Sequence, residues 1–180
     1  AGVYHKNYPT IGAMEGGTKA GREAAVISCD FGTVAPVVCF DLNFTELASS
    51  YRAQRPDLVI FSSLYHGGLM QRWWASYTGA YFIGVPAGQP ASIIAPGGEV
   101  LAQGLGAITR TINLDCVLIK YQQEQISRMM LAYGSELAIS KTGVFQQALL
   151  TSRLSNKTAR ELAEEFGLEL WEEGAAACGR

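Results

Sequence analysis

Cys39 is the residue of this sequence that is best placed to act as a nucleophile. It ends an apolar, β-branched run at residues 34–38 and comes shortly before Thr45, Glu46 and Leu47, a pattern typical of a helix start. A side chain at such a strand-to-helix turn lies at the carboxyl edge of a sheet, where a helix N-terminus favours the thiolate. The alternative interpretation is a buried cysteine that serves as a small hydrophobic residue.

Two charged residues upstream are candidates to assist this thiol. Lys6 lies on a segment that Pro9 keeps extended, and a cation there would hold the thiolate and steady an oxyanion. Glu15 lies among the glycines of residues 11–22, a predicted loop in which a ligand can approach the backbone closely. Taken singly, each residue also fits an ordinary solvated surface position.

The residues around Cys39 predict a βαβ crossover. A helix is expected over residues 45–54, and residues 58–63 are apolar as in a strand covered on both faces. Because such crossovers are right-handed, the two strands end at the same edge of the sheet. Cys39 and the loop at residues 64–68 are therefore expected to face a common crevice.

The remaining elements are predicted from periodicity and turn signals. In order, we expect a strand at 24–29, a helix at 69–78, strands at 81–85, 92–95, 99–102 and 107–114, helices between 121 and 150, and a last helix at 158–166. Ser155 or Asn156 is expected to cap that last helix, and Gly167 to terminate it. The chain is accordingly divided into a domain at residues 1–115 and a helical C-terminal extension at residues 116–180.

Composition excludes several classes of protein. The 180 residues carry a net charge of −2 and are 48% hydrophobic, which fits a globular domain and offers no basic field for nucleic acid or membrane. No apolar stretch is long enough for a membrane helix, and a cytoplasmic location is expected. Four dispersed cysteines, at positions 29, 39, 116 and 178, signal neither a metal site nor a disulfide framework.

Several of these segments together resemble the carbon-nitrogen hydrolase (nitrilase) superfamily. The resemblance covers residues 1–115 and is carried by residues 4–9, 15–17, 32–44 with Glu46, 56–58 and 92–98. It implies an α/β fold, a four-layer αββα sandwich. It also implies cofactor-free hydrolysis of a nonpeptide C–N bond through a cysteine thioester, and a homodimer.

The resemblance implies a role for individual residues. Cys39 would be the nucleophile, Lys6 the cation that steadies the tetrahedral intermediate, and the backbone N–H of Phe40 an oxyanion donor. Glu15 falls where many members have a second glutamate that orients the substrate or the lysine. A thiolate at a helix start beside an ammonium is activated without a metal.

Substrate class follows from the residues around the nucleophile. The sequence Cys39-Phe40-Asp41 resembles amidase and carbamoylase members, so the expected substrate is a small amide or N-carbamoyl compound. Tyr65 and His66, at the end of the next strand, are expected to line its acyl pocket. His66 is equally compatible with a loop histidine that has no role.

Two departures from the family pattern matter. Thr45 stands where the family usually has a proline, and the family's general base is a glutamate well before the lysine, whereas nothing precedes Ala1. We therefore expect an N-terminally incomplete copy of the fold. This departure motivates a rival hypothesis, in which the chain keeps the fold but serves as an inactive scaffold or regulatory subunit.

A second rival is a DNA-binding tail. Residues 154–168 faintly resemble a helix-turn-helix, but from Thr151 onward the chain has six acidic residues against four basic ones. A phosphate-binding surface needs the opposite balance. An amphipathic helix that packs on a neighbouring element is the simpler interpretation.

Overall fold

The computed structural model describes residues 2–172, and the chain divides into two compact units, Ala1–Arg110 and Thr111–Arg180. Each unit has its own hydrophobic core. The observed division lies a few residues before the boundary expected from the sequence.

Unit 1 is built on a six-stranded sheet whose strands follow chain order. Strands β2, β3 and β4 are parallel, and the other neighbouring pairs are antiparallel. The strands are β1 (Ile27–Cys29), β2 (Gly32–Val38), β3 (Leu58–Ser63), β4 (Tyr81–Pro86), β5 (Ala91–Ile94) and β6 (Val100–Gly104). The helices are α1 (Ile11–Glu15), α2 (Thr45–Gln54) and α3 (Leu69–Thr78).

Helices α2 and α3 cover one face of this sheet. Phe61 of β3 and Phe82 of β4 are fully buried together with Tyr51 of α2 and Trp74 of α3. The other face leaves Ile60 36% and Val85 54% exposed. Unit 1 is thus one helix layer on one sheet, which corresponds to two of the four layers of the predicted sandwich.

The βαβ crossover is confirmed. Residue pairs run in parallel register from Val34↔Leu58 to Val38↔Ser62, with α2 between the strands. One predicted strand, at residues 107–114, is wrong, since this segment has no strand structure. Its apolar alternation gives a strand only where a neighbouring strand supplies hydrogen-bonding partners.

Unit 2 contains a sheet that the sequence did not predict. Its strands β7 (Cys116–Lys120), β8 (Leu137–Lys141) and β9 (Gln147–Ser152) form an antiparallel sheet of order β7-β9-β8. Its helices are α4 (Gln123–Tyr133) and α5 (Ala159–Glu165). The prediction of a helical extension is therefore wrong for β7, β8 and β9, and right for α4 and α5.

Helix α5 shows that residues 154–168 do not form a helix-turn-helix. The Thr158 hydroxyl and the Glu161 carboxylate form a capping box at its start, and Gly167 adopts φ +66° after its end. Between residues 154 and 168 the structure has this single helix, and strand β9 precedes it. Because Leu162 and Ala163 are buried in the core of unit 2, α5 is the packing helix that the simpler interpretation predicted. The cap is Thr158 rather than Ser155 or Asn156.

Candidate active site

The backbone at Cys39 forms a tight elbow between β2 and α2. Cys39 is the first residue of a 3₁₀ helix, Cys39–Asn43, and has φ +52°. Such a left-handed conformation is costly for a residue with a Cβ and is found at functional sites. The elbow places the thiol at the carboxyl edge of the sheet, as the sequence predicted.

The parallel pairing of β2 with β3 brings a second strand end to the thiol. Val38 pairs with Ser62, so Ser63 and the backbone N–H of Leu64 follow at the same edge as Cys39. Burial, the largest single effect, raises the pKa of the Cys39 thiol, and hydrogen bonds from the Ser63 hydroxyl and the Leu64 N–H lower it. The attraction of the Lys6 ammonium and a hydrogen bond from the Phe40 N–H lower the pKa further. The net effect is a lowered pKa, which favours the reactive thiolate.

Lys6 and Phe40 therefore both act on the predicted nucleophile. Lys6 is partly buried on the segment that passes the elbow, and its charge stabilises the thiolate. The Phe40 backbone N–H points toward the sulfur, while its ring is 39% exposed and packs edge-on against Phe44 with 5.3 Å between centroids. A cation and a backbone donor at one thiol are the groups that an oxyanion intermediate needs.

Tyr65 reaches the elbow, and His66 does not. The Tyr65 hydroxyl donates to the backbone carbonyl of Cys39 at 3.3 Å. Burial raises the pKa of Tyr65 most, and the nearby negative charge of Cys39 raises it further. A hydrogen bond from Asn43 lowers this pKa but does not offset the increase. The hydroxyl thus stays protonated as a donor at neutral pH.

His66 contacts Gly68 of its own loop and Gln103 of strand β6. Its Nδ1 accepts from the Gly68 N–H at 3.2 Å, and its Nε2 lies 3.5 Å from the Gln103 amide of β6. The buried Gln71 side chain of α3 donates to the His66 carbonyl, so the loop after β3 is anchored to α3. These contacts explain the position of His66 without a role at the thiol.

Glu15 lies away from these contacts. It is exposed at the end of α1, and no hydrogen bond or ion pair joins it to Lys6 or Cys39 among residues 2–172. The prediction of a loop without a regular element is wrong for residues 11–15, because the Thr10 side chain caps a short helix by accepting from Ala13 N–H. The assignment of Glu15 to the site stays a prediction.

An apolar cavity of about 580 Å³ adjoins the elbow. Its walls include Tyr8, Pro9, Ile11, Met14, Phe40 and Phe44. The Tyr8 and Phe44 rings stack with centroids 3.7 Å apart and form one aromatic wall of the cavity. Small-molecule sites are commonly concave and mostly apolar, as this cavity is.

Sequence reasoning missed two residues of the site. Ser63 is 8% exposed and hydrogen-bonds the thiol, and Asp41 is fully buried between the elbow and the Lys6 segment. The signal for Ser63 was available, because the last residue of a parallel neighbouring strand must lie beside the end of β2. Asp41 was noticed only as part of a family motif.

Across residues 2–172 there is no group of three His, Cys, Asp or Glu side chains positioned to hold a metal ion. No helix in that range combines the length and apolarity needed to cross a bilayer. Cys29 and Cys39 carry free thiols, and Cys178 lies outside the described residues.

The sequence matches no family profile and no curated protein, but several solved structures match. The carbon-nitrogen hydrolase of Helicobacter pylori aligns over 58% of this chain and 48% of its own, with 19% identity and a TM-score of 0.52. A CN-hydrolase superfamily protein of Xanthomonas campestris, which holds an arsenic adduct in its active site, aligns over 71% and 55%, with 17% identity and a TM-score of 0.50. A Saccharomyces cerevisiae member of branch 10 of the nitrilase superfamily aligns over 50% and 40%, with 21% identity and a TM-score of 0.45.

These comparisons establish the fold. This chain spans about half the length of the solved structures it matches. Over the aligned span it has the fold of the nitrilase-superfamily structures, which agrees with the fold that the sequence resemblance implied.

Proposed function

We propose that this chain carries the nucleophilic half of a carbon-nitrogen hydrolase site, with Cys39 attacking the carbonyl of a small amide or N-carbamoyl compound. The observation that supports this most is the Cys39 elbow itself. A partly buried thiol with a lowered pKa sits in a left-handed backbone conformation beside a lysine. A cysteine that served only the core would need neither the strain nor the cation.

The chemistry has two stages. The Cys39 thiolate forms a bond to the carbonyl carbon, and the carbonyl electron pair moves onto oxygen to give a tetrahedral oxyanion. That oxyanion collapses, the C–N bond breaks, and the amine departs with a proton from a general acid, leaving a thioester. Water then adds to the thioester carbonyl and gives a proton to a general base, and the tetrahedral intermediate collapses to the acid product and the restored Cys39 thiolate.

Each assigned residue has a role in these stages. The Lys6 ammonium and the Phe40 backbone N–H stabilise the oxyanion, and Glu15 orients the substrate or the lysine. We assign Tyr65, whose hydroxyl reaches the Cys39 carbonyl, to the acyl side of the pocket, and give no role at the thiol to His66, which Gly68 and Gln103 hold. The family resemblance places the general acid and base on a glutamate N-terminal to Lys6. We further propose a cytoplasmic homodimer that uses no cofactor.

Acylation by an activated ester tests this proposal, because its leaving group departs without a general acid. We expect p-nitrophenyl acetate to add an acetyl group to Cys39 at neutral pH at least about tenfold faster than to Cys29, although Cys29 is the exposed thiol. Peptide mapping by mass spectrometry identifies the modified thiol. Small amides and N-carbamoyl compounds are expected to slow the reaction at Cys39 alone.

Matched variants complete the experiment. Cys39→Ser should abolish the fast phase, whereas Cys29→Ser should leave it unchanged. If Cys39 reacts no faster than Cys29 in the folded protein, the catalytic proposal fails, and the inactive-scaffold hypothesis becomes the better account of the fold.

A further inference from the structure

The Asp41 carboxylate accepts three hydrogen bonds in the interior of unit 1. One oxygen accepts from the Tyr8 backbone N–H at 2.7 Å. The other accepts from the Tyr4 hydroxyl at 2.8 Å and from the Val38 backbone N–H at 3.1 Å. Asp41 is 0% exposed, so both of its oxygens depend on these donors rather than on water.

The donors come from two segments that the proposed reaction must hold together. Tyr4 and Tyr8 lie two residues on either side of Lys6, and Val38 immediately precedes Cys39. The Tyr4 and Tyr8 contacts with Asp41 span 37 and 33 residues of sequence. A single buried carboxylate therefore connects the backbone that carries the cation to the backbone that carries the thiol.

We propose that Asp41 is a positioning residue that fixes Lys6 against Cys39 by tying the segment around Lys6 to the elbow. The catalytic purpose of this arrangement rests on the proposed function, whereas the connection between the two segments rests on the three hydrogen bonds. Asp41 donates no proton and touches no reacting atom in this role. It acts through Lys6.

The chemistry of the three donors requires a carboxylate at this position. Two N–H groups and one O–H group converge on Asp41, and an ionised carboxylate is an acceptor at both oxygens. Asparagine would keep one acceptor oxygen and present an N–H to at least one of the donors. Burial, the hydrogen bond to Asp41 and its charge all raise the pKa of Tyr4, so the Tyr4 hydroxyl remains a donor.

The change in Cys39 reactivity on Asp41→Asn substitution distinguishes a positioning role from a purely electrostatic effect. Asp41→Asn removes a negative charge near the thiol, which by electrostatics alone would favour the thiolate and make Cys39 more reactive at neutral pH. If Asp41 positions Lys6, the same substitution lets the cation move away and makes Cys39 less reactive. The two accounts therefore predict opposite signs.

The experiment is the pH dependence of Cys39 alkylation by iodoacetamide in the full chain. We expect Asp41→Asn and Lys6→Met each to slow alkylation at neutral pH by about tenfold and to move the midpoint to higher pH. The double variant should be slowed by about tenfold and not about a hundredfold, because both substitutions remove the same interaction. Unchanged or faster alkylation in Asp41→Asn, or a fully multiplicative double variant, would overturn the proposal.

Asp57→Asn is the matched control for a loss of stability. Asp57 accepts from the Thr33 N–H and hydroxyl, both at 2.7 Å, at the opposite end of the β2–β3 pair. Its substitution should lower the free energy of unfolding and leave the alkylation profile of Cys39 unchanged. A shift of that profile in Asp57→Asn equal to the shift in Asp41→Asn would show that Asp41 acts only through the stability of the fold.

Tyr4→Phe is a milder substitution that tests the same role if the Asp41→Asn variant does not fold. It removes one of the three hydrogen bonds and should slow alkylation by roughly threefold. Tyr121→Phe, which removes an exposed hydroxyl contact with Gln123 in unit 2, should have no effect. No change in Tyr4→Phe would count against the proposal. Acylation of Cys39 by p-nitrophenyl acetate is measured in a separate experiment. If Cys39 is not acylated, its alkylation by iodoacetamide still tests the role of Asp41.

Discussion

At the scale of single residues, the site depends on groups that favour the Cys39 thiolate against the cost of burial. Desolvation opposes the charge, and hydrogen bonds from Ser63, Leu64 and Phe40 together with Lys6 outweigh it. Ser63 has a second contact, since its hydroxyl oxygen accepts from the Tyr65 N–H at 2.9 Å. The Ser63 hydroxyl therefore orders the loop after β3 while it donates to the thiolate.

Ser63→Ala tests this contribution. Because the Ser63 hydrogen bond lowers the pKa of Cys39, its loss should raise that pKa, so that less thiolate is present at neutral pH. We expect alkylation near neutral pH to slow by roughly tenfold, and the rates to converge above the thiol pKa in both proteins. Ser62→Ala, on the exposed face of the same strand, is the control and should not change the profile. Equal effects of the two substitutions would contradict the assignment.

At the scale of elements, the chain leaves β2 and enters the 3₁₀ helix at Cys39. Cys39 makes this transition with φ +52°, a conformation that glycine adopts readily and other residues do not. The 3₁₀ helix that follows leads directly into α2, and the Trp74 indole of α3 donates to the Leu42 carbonyl at 2.8 Å. The elbow is therefore held in a strained conformation by the elements packed around it.

The strain predicts an unusual order of stability among variants. Cys39→Gly should be more stable than Cys39→Ala by about 1 kcal/mol in the free energy of unfolding, because glycine adopts a positive φ without a Cβ clash. Urea denaturation measures this difference. The same pair of substitutions at Cys116, in the extended strand β7, should give the opposite order, since glycine weakens a strand. A less stable Cys39→Gly variant would show that the elbow is unstrained.

At the scale of the whole molecule, the chain contains two units with separate cores. The core of unit 1 lies between its sheet and α2 and α3, whereas the core of unit 2 lies between a three-stranded sheet and its own helices. All residues assigned to the candidate site belong to unit 1. Unit 2 therefore contributes no assigned residue to the proposed chemistry.

Met129→Ala tests that separation. Met129 is 0% exposed in the core of unit 2, and its truncation should cost about 2–5 kcal/mol of the stability of that unit. Denaturation monitored by hydrogen exchange in β7 and β9 would measure the loss. The alkylation profile of Cys39 should remain that of the unmodified chain. A shifted profile would show that unit 2 supports the site.

The sequence alone placed the proposed nucleophile, Cys39, and the elements that carry it. Residues 34–54 contain a strand pattern, a cysteine and a helix start next to one another, and local periodicity is sufficient to predict such a succession. The strand over residues 58–63 was equally clear because it is apolar along its length. The βαβ unit followed from the order of a strand, a helix and a second, fully apolar strand.

The tertiary structure decided the partners of the Cys39 thiol and the sheet of unit 2. Ser63 lies beside Cys39 because of the β2–β3 register, and Asp41 finds donors 33 and 37 residues away, so neither contact is encoded by local spacing. In unit 2, β9 has a Leu- and Ala-rich sequence that favours helix, but Ala148 and Leu150 are fully buried in a central strand. Local propensity is weaker than the burial and hydrogen bonding that a strand gains between two neighbours, and those neighbours exist only in the folded chain.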